Sequence, residues 1–161
     1  MRVGNGYDIH RFRRDGSGTL RLGGVDIPGA PQLEGHSDGD ALIHSVIDAL
    51  LGAAGAGDIG QHFPPGEEAT AGIDSRELLR RVIRLIASQG YRLENLDVTV
   101  IAERPRLAEH IAAMRESIAA TAGVDVDAVN VKATTHEGLG DLGGGEAIAA
   151  MAVALLDSDR S

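Results

Sequence analysis

Three side chains, Asp8, His10 and His44, have the types and the spacing of a set of metal ligands. Asp8 and His10 flank Ile9 in the segment GYDIHRF, and side chains two residues apart on a strand point to the same face. Zinc accepts imidazole and carboxylate ligands, and three protein ligands leave a fourth position open for substrate. Alternatively, His10 and His44 are ordinary surface or capping residues, because an Asp-x-His pair often occurs by accident.

The segment HSDGD, residues 36–40, has the composition of a helix N-terminus with Ser37 or Asp38 as its cap. The backbone N–H groups that are exposed at such a position can also bind a phosphate oxygen. His44 then lies in the early turns of this helix, and Asp48 lies one turn after it.

A glycine-rich segment, residues 133–146, follows a predicted strand and contains Thr134, Thr135 and Glu137. It is either a flexible turn or a set of hydroxyl donors and a carboxylate that suits a hard cation such as magnesium.

The segment AERPRLA joins another predicted strand to a helix and contains Arg104 and Arg106. Arginines at such a junction are usually solvated, although one of them could instead reach a phosphate group.

Alternating strands and helices must position these groups. The hydrophobic pattern predicts strands over residues 2–10, 96–103 and 128–135, and helices over residues 38–54, 74–90 and 107–123. Asp74 and Glu77 have the spacing of a capping box at the start of the second helix. The alanine-rich tail GEAIAAMAVALLD favours helix by propensity. Because strands alternate with helices, we expect an α/β sandwich in which helices cover a sheet.

The composition limits the class of protein. A chain of 161 residues fits one domain, residues 1–161, and the absence of cysteine excludes disulfides and thiolate zinc sites. The formal net charge of −9, with Lys132 as the sole lysine, excludes the basic footprint of a nucleic-acid-binding protein. No apolar run is long enough for a membrane span, and the N-terminus lacks a signal or transit pattern. We therefore expect a cytoplasmic protein that binds neither nucleic acid nor membranes.

Taken together, the motifs resemble the 2-C-methyl-D-erythritol 2,4-cyclodiphosphate synthase family of the non-mevalonate isoprenoid pathway. The resemblance runs from residue 2 to about residue 156, and its first two motifs are highly specific. The segments that carry it are GYDIHRF, GHSDGDALIHSVIDALLGAAGAGDIGQHFP, DSRELLR, NLDVTVIAERPRL and VNVKATTHEGLG.

This resemblance implies a phosphorus–oxygen lyase that cyclises 4-diphosphocytidyl-2-C-methyl-D-erythritol 2-phosphate. The 2-phosphate oxygen attacks the β-phosphorus of the diphosphate, and CMP leaves. It also implies that Asp8, His10 and His44 hold Zn²⁺ or another divalent transition metal, and that Glu137 holds Mg²⁺ or Mn²⁺. Asp48 is the implied partner that orients a ligand imidazole.

The resemblance also implies the residues that contact the substrate. His36 and Ser37 position the attacking 2-phosphate, and Thr135 positions the diphosphate, so His36 and Thr135 are the implied catalytic residues. The implied substrate-binding set consists of Asp8, His10, His36, Ser37, Asp58, Ile59, Gly60, Phe63, Ala102, Arg104, Pro105, Arg106, Leu107, Ala108, Thr134, Thr135, His136 and Glu137.

The implied assembly is a homotrimer with each active site between neighbouring subunits. The metal ligands come from one chain and the cytidine pocket comes from the next. A mixed sheet with helices packed on one face turns its other face to the trimer axis. The tail is then a strand rather than the helix that its propensity favours.

The sequence departs from the family pattern at several positions. Arg106 stands where lysine is usual, His136 stands where a third threonine is common, and the loop after Phe63 reads PPGEEA. Two alternatives remain open: a zinc-dependent phosphohydrolase that uses water as its nucleophile, and a trimer that binds metal or nucleotide without turnover.

Overall fold

A computed structural model describes residues 1–158, which form a four-stranded sheet, a small hairpin and the helices that cover the sheet. The strands are β1 (Arg2–Arg11), β2 (Leu20–Leu22), β3 (Val25–Ile27), β4 (Tyr91–Ile101), β5 (Val129–Thr134) and β6 (Ala147–Ser158). The helices are α1 (Ala41–Ala54), α2 (Ile59–His62), α3 (Ser75–Ser88), α4 (Ile111–Ala122) and α5 (Gly140–Gly143).

The main sheet has the strand order β1-β6-β4-β5. β6 pairs antiparallel with both β1 and β4, whereas β4 and β5 are parallel, so the sheet is mixed as expected. β2 and β3 form a separate antiparallel hairpin. β1 and β5 are therefore the two edges of the main sheet.

The alanine-rich tail is β6, a twelve-residue strand in the interior of the sheet. The prediction of a helix from propensity is wrong, and the prediction of a strand from the family resemblance is confirmed. Its small side chains suit this position because Ala150, Ala152 and Ala154 lie under α1 and are almost fully buried. Tertiary packing thus outweighs intrinsic propensity here.

One face of the sheet packs against the helices and the other carries exposed apolar side chains. Residues of alternate parity on β1 and β6 point away from the core, and several of them are large and exposed: Val3, Tyr7, Ile9, Met151 and Val153. Contiguous exposed apolar surface of this kind marks an interaction site more often than a free surface.

Two glycines of β1 allow α1 to pack directly against the strand. A Cβ atom at Gly4 would lie 2.1 Å from the carbonyl oxygen of Ala49, and one at Gly6 would lie 2.0 Å from that of Ser45. Neither distance is possible for a real side chain. The glycine of the GYDIHRF motif therefore brings α1, with His44, close to Asp8 and His10 on the same strand.

The start of α1 differs from the prediction. Asp40, rather than Ser37 or Asp38, caps the helix by accepting a hydrogen bond from the Ile43 N–H at 3.0 Å. The first residues of α1, from Ala41, are fully buried, so this N-terminus is not exposed to a phosphate. The displacement arises because Asp40 also binds the hairpin.

The predicted capping box at α3 is wrong. Asp74 caps α3 through the N–H of Arg76, at 2.9 Å, rather than through that of Glu77. The carboxylate of Glu77 faces arginines of the following turns instead, the nearest at 3.4 Å, because α3 is rich in arginine on that side.

Among the described residues, no helix is both long and apolar enough to cross a membrane.

We expect Asp40→Ala to lower the free energy of unfolding by about 3–5 kcal/mol. Its fully buried carboxylate accepts hydrogen bonds from the N–H groups of Gly23 (2.9 Å), Gly24 (2.7 Å) and Ile43, and alanine leaves all three donors without that partner. Urea unfolding measures the loss. Asp125→Ala is the control, because Asp125 precedes a short helix without a side-chain capping bond; equal stability losses in the two variants would contradict the assignment.

Candidate metal centre and nucleotide site

β1 and α1 together present Asp8, His10 and His44 to one point. Asp8 and His10 project from the helix-facing side of β1, and His44 projects from the first turn of α1 toward them. The side chains of Asp8, His10 and His44 are 25%, 20% and 11% exposed, so the group is partly accessible to solvent. The predicted grouping of these three residues is confirmed.

The three potential ligand atoms lie within a few ångströms of one another. The Asp8 Oδ2 atom is 2.9 Å from His10 Nε2 and 3.1 Å from His44 Nδ1, and the two imidazole nitrogens are 3.1 Å apart. Ligands about 2.0–2.1 Å from a tetrahedral zinc ion are separated by roughly 3.4 Å. The triangle is therefore close to one face of such a coordination sphere.

The remaining ring nitrogens are held by neighbouring groups that set the orientation of each imidazole. His10 Nδ1 donates to the carbonyl oxygen of Glu34, which leaves the His10 Nε2 lone pair directed at the site. His44 Nε2 lies 2.9 Å from the Ser75 hydroxyl, which in turn donates to the Asp38 carboxylate. Ser75 thus accepts from His44 Nε2, and the His44 Nδ1 lone pair also faces the site.

This arrangement fits a divalent transition metal. Two imidazole lone pairs and a carboxylate oxygen face one another at about 3 Å, and such a set is favourable only around a cation or a shared proton. Polar partners outside the ligands commonly fix their orientation in metal sites. Spacing in the sequence does not indicate Ser75, the Glu34 carbonyl or the role of Asp38, because only the fold brings these partners, 24 to 37 positions apart in the chain, into contact.

The protonation of the group follows from its packing. Burial opposes ionisation of Asp8, but hydrogen bonds and charge interactions with His10 and His44 hold the pKa of Asp8 well below its ordinary value. Burial also opposes protonation of His10, yet its hydrogen bond to Asp8 and the carboxylate charge raise the pKa of His10 above 6.5. Without a metal, a proton on His10 therefore compensates the carboxylate.

We expect the affinity for zinc to rise with pH and to level off above the raised pKa of His10. A metal must displace the proton from His10, so below that pKa each pH unit lowers the affinity by about tenfold. Zinc titration against a competing chelator between pH 5.5 and 8.5 measures the slope. His110→Ala should leave the profile unchanged; an affinity that is flat or stronger in acid would contradict this ligand set.

Asp48 does not make the contact expected of it. Its Oδ1 atom accepts a hydrogen bond from the Ile59 N–H at 2.8 Å, whereas the ring nitrogens of His44 have the partners described above. Burial raises the pKa of Asp48, and the bond from Ile59 opposes that rise. Asp48 therefore fixes the start of α2 beside the site rather than orienting a ligand imidazole.

Among the predicted substrate contacts, Ser37 touches the metal-ligand group directly, and His36 precedes Ser37 in the chain. Ser37 Oγ lies 2.9 Å from His44 Nε2, and His36 Nε2 contacts the carbonyl oxygen of Glu67 at 2.9 Å. Asp58 caps α2, which contains Ile59 and Gly60, and the partly buried Phe63 follows it.

The other predicted contacts lie at the carboxyl ends of β4 and β5. The Ala102 N–H donates to the carbonyl oxygen of Thr134 at 3.0 Å, which joins the segment 102–108 to the end of β5. Thr135 Oγ1 donates to Glu137 Oε1 at 3.2 Å, and Glu137 has a φ of 52°, a left-handed conformation that non-glycine residues rarely adopt. The loop thus holds the hydroxyl and the carboxylate next to each other on the surface.

Glu103 stabilises this loop, although no motif in the sequence indicates that role. Its Oε1 atom accepts hydrogen bonds from the N–H groups of His136 at 2.7 Å and Gly138 at 3.4 Å. Successive backbone N–H groups that converge on one carboxylate are a common way to fix an irregular turn. No spacing in the sequence predicts this contact, because Glu103 and His136 lie on different connections.

A single chain does not bring the two groups of predicted site residues together. Asp8 and His10 lie on the edge strand β1, whereas Thr134 and Thr135 lie at the end of the opposite edge strand β5. Three strand spacings separate these edges, which is roughly 14 Å. The register places His10 and Thr134 near the same end of the sheet. The chain therefore presents two separate groups of candidate site residues, or half-sites, on opposite edges of its sheet.

The fold and the site define an α/β protein with a two-histidine, one-carboxylate candidate metal centre at one sheet edge and a second polar loop at the other. Residues 1–157 match the YgbB family. The chain belongs to this family.

Relatives with curated names agree with this assignment. The chain is 56% identical to the 2-C-methyl-D-erythritol 2,4-cyclodiphosphate synthase of Trichlorobacter lovleyi over 156 residues, which cover 97% of this chain and 98% of that protein. It is 55% identical to the protein of the same name from Thioalkalivibrio sulfidiphilus over 158 residues, covering 98% of each.

Solved structures agree as well. The CDP complex of IspF from Plasmodium falciparum has a TM-score of 0.85 and 36% identity, covering 99% of this chain and 97% of that one. The bifunctional IspDF of Campylobacter jejuni has a TM-score of 0.92 and 40% identity. The match covers 98% of this chain but 42% of the bifunctional protein.

Proposed function

We propose that this protein converts 4-diphosphocytidyl-2-C-methyl-D-erythritol 2-phosphate to 2-C-methyl-D-erythritol 2,4-cyclodiphosphate and CMP. The observation that carries the proposal is the convergence of Asp8, His10 and His44 in a chain that belongs to the YgbB family. The reaction class is that of a phosphorus–oxygen lyase. An oxygen of the 2-phosphate forms a bond to the β-phosphorus, and the bond from that phosphorus to the bridging oxygen breaks. The electron pair leaves with CMP.

Asp8, His10 and His44 would hold Zn²⁺ or another divalent transition metal, and Glu137 would hold Mg²⁺ or Mn²⁺. When bound, these cations supply Lewis-acid chemistry and neutralise charge in a protein whose own formal net charge is −9. The hydrogen bonds from His10 to the Glu34 carbonyl and from His44 to Ser75 keep the ligand lone pairs directed at the site.

The side chains around the metal centre position the reacting groups. Ser37 and His36 bind the attacking 2-phosphate, and its oxygen is already anionic, so the reaction needs no general base. Thr135 binds the diphosphate, as its exposed hydroxyl beside Glu137 allows. Asp58, Ile59 and Gly60, with Phe63, line the path of the sugar.

The segment 102–108 encloses cytosine, together with Thr134. A loop that is held to the end of β5 by the bond from Ala102 to Thr134 offers backbone donors and acceptors at fixed positions. Arg106 supplies the positive charge that lysine usually supplies in the family, and His136 replaces a threonine there.

The protein acts as a homotrimer whose sheets face the axis. The open face of the sheet exposes four large apolar side chains, those of Tyr7, Ile9, Met151 and Val153. The two half-sites of one subunit lie on opposite edges of the sheet. A three-fold assembly accounts for both features, because it buries the open face and sets β1 of one subunit beside β5 of the next.

Product identification tests this function. The purified protein is incubated with the proposed substrate, zinc and magnesium, and the products are identified by phosphorus NMR. We expect a cyclic diphosphate and CMP in equal amounts. Linear phosphate products would favour the hydrolase, and bound CMP without turnover would favour a non-enzymatic binding protein; either result would overturn the proposal.

A further inference from the structure

Two serine hydroxyls contact the same nitrogen of His44. Ser37 Oγ and Ser75 Oγ each lie 2.9 Å from His44 Nε2, and the two hydroxyl oxygens are 3.5 Å apart. When the Nδ1 lone pair of His44 faces the metal site, the neutral ring carries its one proton on Nε2. A single N–H group makes one well-aligned hydrogen bond. The two serines are therefore alternative acceptors for one proton.

The surroundings of Ser75 fix its hydroxyl as an acceptor. This hydroxyl donates to Asp38 Oδ1 at 2.5 Å, and an ionised carboxylate only accepts, so the proton of Ser75 is committed to Asp38. The backbone N–H of Ser75 also donates to Asp38 Oδ2, at 3.0 Å. Arg21 lies 3.8 Å from the same oxygen and supplies a compensating positive charge. Ser75 Oγ can thus accept from His44 Nε2 but cannot donate to it.

Ser37 has no comparable constraint. Ser75 is fully buried at the first position of α3, whereas Ser37 is partly exposed in the loop before α1. Among the described residues, no carboxylate or carbonyl oxygen fixes the direction of the Ser37 hydroxyl proton. Ser37 is therefore free to turn its hydroxyl toward a ligand, and Ser75 is not.

We propose that Ser75, held by Asp38, is the positioning residue that keeps the Nδ1 lone pair of His44 directed at the metal, which leaves Ser37 free to bind the substrate phosphate. The role of Ser37 in this division rests on the function proposed above, whereas the role of Ser75 toward the metal does not. When no phosphate is bound, Ser37 can partly replace Ser75 as the acceptor at Nε2.

Zinc affinities of single and double variants test this division of roles, measured on the full chain against a competing chelator at pH 8. We expect Ser37→Ala to change the affinity by less than about twofold, and Ser75→Ala to weaken it by about three- to tenfold. Ser37→Ala/Ser75→Ala should weaken it by roughly 30- to 100-fold. This loss exceeds the product of the two single effects, because no hydroxyl then accepts from Nε2.

Ser45→Ala is the matched control, and it should leave the zinc affinity unchanged. Its buried hydroxyl follows His44 in the chain but donates to the carbonyl oxygen of Leu42, at 2.8 Å. In Ser75→Ala the backbone N–H still donates to Asp38, so the start of α3 keeps that bond. Thermal unfolding of the metal-free variants separates a change at the metal centre from a loss of fold.

The visible absorption of the cobalt(II)-substituted protein gives a second readout, because the bands report the geometry of the ligands. At saturating cobalt we expect Ser75→Ala to shift these bands and Ser45→Ala to leave them unchanged. In steady-state kinetics, Ser37→Ala should raise KM by about tenfold and retain zinc. Ser75→Ala should instead lower kcat, with recovery when zinc is in excess.

Other outcomes would overturn the proposal. If Ser37→Ala weakens zinc binding and Ser75→Ala does not, Ser37 holds the ring and the roles are reversed. If Ser45→Ala weakens binding as much as Ser75→Ala, the loss comes from local packing. If the single effects only multiply in the double variant, the two hydroxyls do not replace each other at Nε2. If the zinc affinities and the cobalt spectra follow the expectation but the unmodified protein forms no cyclic product, the proposed function is wrong and the role of Ser75 stands.

Discussion

His10→Ala and His44→Ala are each expected to lose bound zinc and to lower turnover by roughly 1,000-fold, because Lewis-acid assistance contributes several kcal/mol. Each variant removes one corner of the triangle in which Asp8 Oδ2 lies 2.9 Å and 3.1 Å from the two imidazole nitrogens. Two remaining ligands hold a transition metal poorly. Metal content by mass spectrometry and product formation by phosphorus NMR measure the two losses.

His110→Ala is the matched control, since His110 lies in a short helix before α4 and outside the triangle. Thermal unfolding and size-exclusion chromatography of all three variants separate loss of metal from loss of fold. Full zinc occupancy in His10→Ala or His44→Ala would contradict the ligand set.

Glu137→Gln is expected to retain zinc but to lower turnover by about 100-fold, with partial recovery at high magnesium concentration. A hard cation prefers an anionic oxygen, and the amide supplies a neutral one. The substitution preserves the side-chain shape, so Thr135 can still bond to the amide oxygen as it bonds to the carboxylate at 3.2 Å.

Glu116→Gln, an exposed substitution on α4, is the control for this loss of charge. Steady-state kinetics at several magnesium concentrations distinguish a cation-binding role from a structural one. Loss of zinc from Glu137→Gln would show that Glu137 belongs to the other metal centre, and unchanged kinetics would remove it from the site.

The sequence predicts the metal-ligand group because the two-residue period of a strand and the 3.6-residue period of a helix can both be read from short segments. Residues 8 and 10 share a face on any strand, and a ligand in the first turn of the next helix can reach them only if the two elements pack closely. Gly4 and Gly6 provide that close packing, because any side chain at either position would collide with Ala49 or Ser45.

The polar groups that orient the ligands were not predictable in the same way. Ser75 reaches His44 from the start of α3, and Asp38 reaches Ser75 across a loop. Neither contact follows a repeat in the chain, because each depends on how three separate segments meet. For the same reason, the family resemblance and the position of Asp48 one turn after His44 predict a ligand imidazole as its partner, whereas the tertiary structure gives it the Ile59 N–H.

The tail shows the limit of local propensity most clearly. Alanine favours helix in isolation, but the residues from Ala147 to Ser158 pair with strands on both sides and lie under α1. Small side chains at this position allow the helix to approach the sheet. Only the family resemblance predicted the strand, since no pattern within the tail indicates its neighbours.

The most direct measurement of a site shared between subunits is the activity of mixed oligomers made from His44→Ala and Glu137→Gln chains. Each variant alone is nearly inactive. In a mixed oligomer, however, the intact metal-ligand half-site of a Glu137→Gln chain can combine with the intact loop half-site of a His44→Ala chain. With equal amounts and random mixing, about a quarter of the sites combine two unaltered halves. Co-expressed chains are therefore expected to recover about a quarter of the unmodified activity. If the mixture is no more active than the separate variants, both half-sites must act within one chain, and the proposal that two chains share each site is wrong.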